Sequence, residues 1–347
     1  MIQLRFHPFR LALLEPFTVS YGTRTHQETL IVALHDGQHS GFGEAPAIFY
    51  YGVTVQQFQD ALEQHRDAIE AWNPADTTPE AFWETMAPRL ATMPFALCAL
   101  DCAAHDLYGK RLGQSLYQRW GYTLDTLPLS DYTLGIDEIP VMVRKMRDFP
   151  WPVYKIKLGT PDDIAMVREL RRHTQVPLRV DANAGWQPDQ ALRNIRAFQE
   201  LNVELIEQPL PPADLEGARW LFERSPIPLM ADESCQREAD VATCAHHFHG
   251  INIKLAKCGG LTPARRMVAQ ARQLGLQVMV GCMTESTVGI SAAAQLLPVL
   301  DFADLDTPML LRTDVASGVR FEQGKVVYAQ ENGTGVRMLP TTEAERL

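Results

Sequence analysis

VYKIK (153–157), LRVD (178–181), ELIE (204–207), LMAD (229–232) and INIK (251–254) are short apolar runs, each ending on a lysine or a carboxylate and each followed by helically spaced apolar residues. That alternation describes βα units. Working outward, LPLSDYT (127–133) precedes the set, and VMVGC (278–282) and FADLD (302–306) follow it. Lys157, Asp181, Glu207, Asp232, Lys254, Gly281 and Asp306 stand 24, 26, 25, 22, 27 and 25 residues apart. Eight parallel strands on so even a repeat predict a (β/α)8-type barrel, with its catalytic face at the C-terminal ends of the strands. No eighth helix is legible after Asp306. GVRFEQGKVVYA (318–329) reads instead as a hairpin that rejoins an N-terminal sheet, so the expected fold is α/β, a (β/α)7β modified TIM barrel.

Upstream, alternation over 2–6 and 28–34, with the HDGQHSG turn leading to Phe42, predicts a small antiparallel sheet. Helical spacing follows over 54–72, 79–90 and 94–113, with Thr54 as the N-cap of the first. The expected organisation is an α+β domain over 1–125, completed by the segment 315–347, and a barrel over 126–314.

At 347 residues, 46% hydrophobic and 21% charged, the chain has room for a large core. Its net charge of -10 has the wrong sign for nucleic acid. The N-terminal MIQLRFHPFRLALLEPF is broken by Arg5, Arg10 and two prolines, and no stretch reaches the ~20 apolar residues that span a bilayer, so a cytoplasmic protein without a membrane partner is expected. Cys98, Cys102, Cys235, Cys244, Cys258 and Cys282 lack C-x-x-C spacing and read as reduced, mostly buried thiols. His246, His247 and His249 read as a solvated patch, because no carboxylate or cysteine flanks them with ligand spacing.

The chemistry lies at the strand ends. Asp181, Glu207 and Asp232 close three consecutive strands, which lie ~4.8 Å apart, so the carboxylates converge and repel one another unless a hard cation takes up their charge. An all-oxygen set of this kind suits Mg2+ better than Zn2+. Lys155 and Lys157 point to the same side of their strand, the barrel interior, and Lys254 stands on the strand after the carboxylates. A lysine beside Mg2+ and a second ammonium has its neutral form favoured and can act as a base. Lys155 reads as an orienting salt bridge, and Lys257, beyond the strand end, as solvated. Lys157 and Lys254 stand on opposite sides of the ring, which suits removing a proton from one face of a carbon and returning it to the other. The implied reaction is proton abstraction α to a carboxylate held on Mg2+, through an enediolate. One base gives isomerisation or elimination; two opposed bases permit racemisation or epimerisation. A Schiff-base aldolase would also use an interior lysine, but the three carboxylates count against it. They also count, with the lysines, against a silent scaffold.

YKIKLG, RVDANAGW, ELIEQPL, MADES and NIKLAKCGG, with GFGEAP and ALDCAAHDLYGKRLG upstream, resemble the muconate lactonizing enzyme-like subgroup of the enolase superfamily over nearly the whole chain. The resemblance implies an N-terminal α+β capping domain, Asp181, Glu207 and Asp232 as Mg2+ ligands, and Lys157 and Lys254 as acid/base catalysts. It implies Lys155, Asn183 and Glu233 as supporting groups.

Asp304 and Asp306 in FADLDTPMLL resemble the D-x-D pair with which dipeptide epimerases hold the substrate's α-ammonium. GCMTES (281–286) resembles the segment that contacts the dipeptide backbone, so Cys282 and Met283 are expected there, Cys282 as a buried thiol and not a nucleophile. Thr133 and Tyr51 complete the expected substrate contacts. Specificity in the family is attributed to loops corresponding to 17–28 and 48–54. Arg24 resembles the arginine that meets the glutamate carboxylate of Ala-Glu, a pairing suited to a guanidinium fork. Solvation of a loop arginine is the plainer alternative, and Tyr21, Phe49, Tyr50 and Tyr51 could line a pocket for an apolar side chain. The resemblance thus implies a Mg2+-dependent epimerase of a small dipeptide, foremost L-Ala-D/L-Glu from murein peptide turnover. N-succinylamino acid racemase, o-succinylbenzoate synthase and muconate cycloisomerase need no site for a free ammonium. Homo-oligomerisation, common among such barrels, stays open.

Overall fold

The computed structural model describes residues 1–19 and 22–340, so Tyr21 lies outside the described residues. Strands β1 (Gln3–Val19), β2 (Gly22–His35) and β3 (Ser40–Pro46) form an antiparallel sheet in that order. The alternation in β2 sends Leu30, Val32 and Leu34 to one face and Ile31 to the other. The first face is covered by α1 (Val55–Glu63), α2 (Arg66–Glu70), α3 (Pro79–Met86) and α4 (Pro94–Leu112). Thr54 caps α1 in a capping box with Gln57, but the one helix expected over 54–72 breaks between Glu63 and Arg66. Nearly every side chain of α4 is buried, because it lies between the sheet and the barrel. Gly43 permits the approach, since a Cβ there would meet the α4 backbone at Ala99 and Ala103.

The barrel strands are β4 (Tyr132–Leu134), β5 (Tyr154–Lys157), β6 (Leu178–Asp181), β7 (Val203–Glu207), β8 (Leu229–Ala231), β9 (Gly250–Lys254), β10 (Gln277–Gly281) and β11 (Phe302–Asp304). They pair in sequence order, and a parallel bridge from Ser130 to Ala303 joins the two ends of the ring. Among the described residues a 3-10 turn, Thr307–Leu310, and no α-helix follows β11. Outward-facing Ile156, Val180, Ile206 and Ile253 pack beneath the surrounding helices. Inward-facing Leu205, Met230 and Met279, with Phe302, form an apolar plug inside the ring.

Two expectations are corrected. The hairpin Arg320–Glu322/Lys325–Val327 pairs with itself and not with β1–β3; Gly324 O accepts Ser130 N–H at 2.8 Å, so it packs beneath the barrel. Val315 and Val336, on either side of it, do return to Phe9, Leu11 and Ile31 of the sheet. Of His246, His247 and His249 only His246 is exposed; His249 Nδ1 accepts Leu229 N–H at 3.1 Å and its ring leans on Phe222. All six cysteines are free and all but Cys282 are buried. Among the described residues no helix is long and apolar enough to cross a membrane.

Candidate active site

Two-residue spacing on a barrel strand keeps side chains on one side. Thus β5 sends Lys155 and Lys157 inward, β6 Arg179 and Asp181, and β9 Asn252 and Lys254. Arg179 is spent on structure, bonded to Asp131, Glu204 and the Ala303 carbonyl. Beyond the apolar plug the interior becomes ionic. Asp181, Glu207 and Asp232, all buried, each bring one oxygen within 4.8 Å of the others.

Lysines thread this cluster. Lys155, 1% exposed, lies 2.6 Å from Asp304 Oδ2, 2.6 Å from Glu207 Oε2 and 3.2 Å from Asp181 Oδ2. A salt bridge to the carboxylates is what the sequence suggested for this lysine. Lys157 Nζ is 2.7 Å from Asp181 Oδ2, and Lys254 Nζ is 2.8 Å from Asp232 Oδ2. For both, burial is the largest influence and lowers the pKa, but the surrounding carboxylates, Asp181 foremost for Lys157 and Asp232 for Lys254 with Glu207 behind each, together outweigh it, so both stand above the ordinary lysine value. The lowering expected beside Mg2+ belongs to a different charge state: where no cation takes up the carboxylate charges, together they outweigh burial and the second ammonium.

Lys257 is a correction. It is 3% exposed, not solvated, because the helical turn Leu255–Cys258 folds it back under the end of β8. Its Nζ donates to Asp232 Oδ1 and to the Asp232 carbonyl, each at 2.5 Å. Asn252 was also missed, although it stands two residues before Lys254; its Nδ2 donates to Glu207 Oε1 at 2.7 Å.

The loops after β6 and β7 hold the carboxylates with strained backbone. Asn183, Ala184 and Gln208 have φ of 44°, 61° and 35°, a region non-glycine residues rarely occupy. Asn183 N–H donates to Asp181 Oδ1 at 2.9 Å, and Gln208 Oε1 accepts Asp232 N–H and Ser234 N–H at 3.0 Å each. Burial and the Asp232 charge push Glu233 up to about 8; its Oε1 is 3.5 Å from Asn183 Nδ2 and its Oε2 has no hydrogen-bond partner.

A cavity partly open to solvent lies over the cluster. Lys157, Lys254, Asp232, Asn183 and Glu233 line its barrel side. Asp304, Asp306 and Thr133 line another edge, where Thr133 N–H donates to Asp306 Oδ2 at 2.6 Å. Burial raises both aspartates in principle, but Lys155 holds Asp304 down at about 2, whereas Asp304 itself helps push Asp306 up to about 7. Arg24 and Tyr51 reach the cavity from the cap, with Phe17 and Ile48, and Leu310 reaches it from the turn after β11; the last three had not been singled out as contacts. Phe49 is 83% exposed and is not among the lining residues. Cys282 and Met283 also line the cavity; Cys282 is half-buried and beside Thr307, not enclosed by strand residues as expected. Burial and the charges of Asp304 and Asp306 raise its thiol well above the ordinary value, which leaves it protonated and a poor nucleophile. Lys155, Asp181 and Glu207 lie beneath this lining. The three converging oxygens could hold a hard divalent cation, being charged, oxygen-only and already at coordinating separation.

A (β/α)7β barrel under a sheet-and-helix cap, with a buried carboxylate triad between two lysines, defines the enolase type of enzyme. Residues 141–342 match the family model "Enolase C-terminal domain-like", and residues 1–121 match the "Mandelate racemase / muconate lactonizing enzyme, N-terminal domain". The L-Ala-D/L-amino acid epimerase of Flavobacterium johnsoniae is 48% identical over 97% of this chain and 100% of its own. The substrate-liganded L-Ala-D/L-Glu epimerase of Bacillus subtilis superposes with a TM-score of 0.91 at 29% identity, over 97% of this chain and 98% of its own. The dipeptide epimerase of Enterococcus faecalis V583, solved with Mg and L-Leu-L-Tyr, gives a TM-score of 0.90 at 34% identity, over 96% and 98%. The chain belongs to the mandelate racemase/muconate lactonizing enzyme family of the enolase superfamily, among its dipeptide epimerases.

Proposed function

We propose that the protein is a Mg2+-dependent epimerase that inverts the α-carbon of the second residue of an L-Ala-Xaa dipeptide, with L-Ala-L-Glu the first substrate to test. The observation that carries this is one cavity that presents two opposed lysines over a carboxylate triad, and a second acidic pair at its edge. Asp181, Glu207 and Asp232 would hold Mg2+, and the names of the 48% identical relative and of the liganded structures support the assignment. When bound, Mg2+ supplies the positive charge that offsets the negative charge growing on the substrate carboxylate as its α-proton leaves.

The chain's own groups do the rest. Lys157 on β5 and Lys254 on β9 are separated by β6, β7 and β8 around the ring, so their Nζ atoms reach the same carbon from different sides. One Nζ takes the α-proton and the other delivers a proton to the opposite face, which inverts the centre. Asp304 and Asp306 bind the α-ammonium of the first residue. Lys155, tied to Asp181, Glu207 and Asp304, orients the triad and that edge together. Arg24 binds a carboxylate side chain on the second residue.

Proton NMR in D2O with Mg2+, across L-Ala-L-Xaa dipeptides, tests the reading. Loss of the second residue's α-proton signal is expected, fastest for L-Ala-L-Glu, and EDTA stops it. Absence of exchange with every dipeptide defeats the assignment. R24A should raise KM for L-Ala-L-Glu at least about tenfold, the loss of a charge-assisted pair, while sparing L-Ala-L-Val. Equal effects on both substrates remove Arg24 from specificity and leave the epimerase intact.

A further inference from the structure

The lysine that sequence reading left in solvent is the most completely bonded cation of the site. Lys257 Nζ lies 2.5 Å from Asp232 Oδ1, 2.5 Å from the Asp232 carbonyl, 3.1 Å from the Cys235 carbonyl and 3.4 Å from the Asn252 carbonyl. An ammonium has three protons to donate, and three acceptors lie within 3.1 Å, so none is left for chemistry. The three carbonyls belong to two segments. Asp232 and Cys235 stand in the loop after β8, whereas Asn252 is on β9, the strand that carries Lys254. One buried charge therefore fixes the third carboxylate of the triad, the loop that presents it and the strand of a catalytic lysine relative to one another.

The two ends of the triad differ in this respect. Asp181 has Lys157 and, at 3.2 Å, Lys155 on Oδ2, and only a neutral donor, the Asn183 N–H, on Oδ1. Asp232 has Lys254 on Oδ2 and a second full charge, Lys257, on Oδ1. Lys257 occupies one oxygen and leaves the other directed at Lys254 and the cavity.

We propose that Lys257 is a positioning residue: it pins Asp232 so that Oδ2 alone faces the cation site, and thereby sets the affinity of that site. This rests on the reading of Asp232 as a cation ligand. Groups that hold a ligating carboxylate from behind typically change metal affinity 10- to 100-fold when removed. Lys257 also lines a solvent-open groove between α3 and the loop after β8, among Trp83, Leu90, Pro94 and Arg237, so a small amine has a route to its position.

The test measures binding of Mn2+, an EPR-visible substitute for Mg2+, to the wild type, K257M and K257A, with circular dichroism to establish folding. K257M keeps the apolar volume and loses the charge; K257A opens a space that ethylammonium or propylammonium can fill from the groove. Expected are Mn2+ affinity weakened roughly 10- to 100-fold in both variants and its recovery in K257A, but not in K257M, on addition of the alkylammonium ion. Should K257M not fold, the K257A titration with and without amine decides alone. Wild-type Mn2+ affinity in a folded variant overturns the proposal, and so does weakened affinity in K257A that no alkylammonium restores, since that is general loosening. Failure of the wild type to bind Mn2+ overturns the metal assignment beneath it, and is seen before any substitution is made.

Discussion

Asp304 and Asp306 are two residues apart and face one cavity, yet their charges are fixed differently. Lys155 contacts Asp304 at 2.6 Å and holds it ionised, while Asp306, buried beside that charge, titrates at about 7. The sign follows directly: above about 7 Asp306 is anionic and attracts an ammonium, and below it the attraction fades. The dipeptide KM should therefore fall as pH rises from about 6 to about 8. In D306N it should be flat with pH and roughly 10- to 100-fold higher, with kcat less affected. Initial rates at a series of pH values check this, and a KM in the wild type that ignores pH removes Asp306 from ammonium binding. At this scale the sequence was informative wherever strand parity applies. Parity exposed Lys155 and Lys157, and carried further it would have found Asn252. It could not place Lys257, whose direction is set by a helical turn after the strand, where the period of two no longer holds.

Elements were legible where their signals are local. The βα repeat, the N-cap at Thr54 and the missing eighth helix are all written within a few residues of where they act. The C-terminal hairpin was legible as a hairpin but not in its docking, because a strand pattern does not name its partner. Junctions between elements were least legible, and Gly260 is one of them. Its φ of +119° lies outside the range comfortable for other residues, and a Cβ there would run into Asp101 of α4. Asp101 in turn accepts Thr262 N–H and Oγ1–H, both at 2.8 Å, at the start of the helix Leu261–Gln273. G260A should combine backbone strain with loss of this cap-to-barrel contact, about 1–3 kcal/mol, and lower the Tm by several degrees. A thermal melt that matches the wild type would show that the junction relaxes around the added methyl.

For the whole molecule, the question is whether cap and barrel are separable. The sheet β1–β3 with its helices and the eight-stranded barrel share buried polar contacts that neither can satisfy alone. Glu44 of β3 accepts Ser286 N–H at 3.0 Å, Ser286 Oγ–H at 2.5 Å, Gly289 N–H at 3.0 Å and Thr29 Oγ1–H at 2.9 Å, and so caps the barrel helix Thr287–Ala294 from the other domain. Such a contact spans more than 200 residues of chain, and nothing in GFGEAP or GCMTES names the other as its partner, which is why the reading of the sequence could not supply it. E44A would strand these donors in a buried site at about 1–3 kcal/mol each, so a loss of roughly 3 kcal/mol or more is expected. Because the cap rests on the segment that carries Met283 and Thr284 into the cavity, the same change should raise the dipeptide KM. Far- and near-ultraviolet circular dichroism should show wild type and E44A each melting in one coincident transition, the variant at lower temperature. Two separated transitions in the wild type would mean that the cap folds on its own and that Glu44 serves only to seat it.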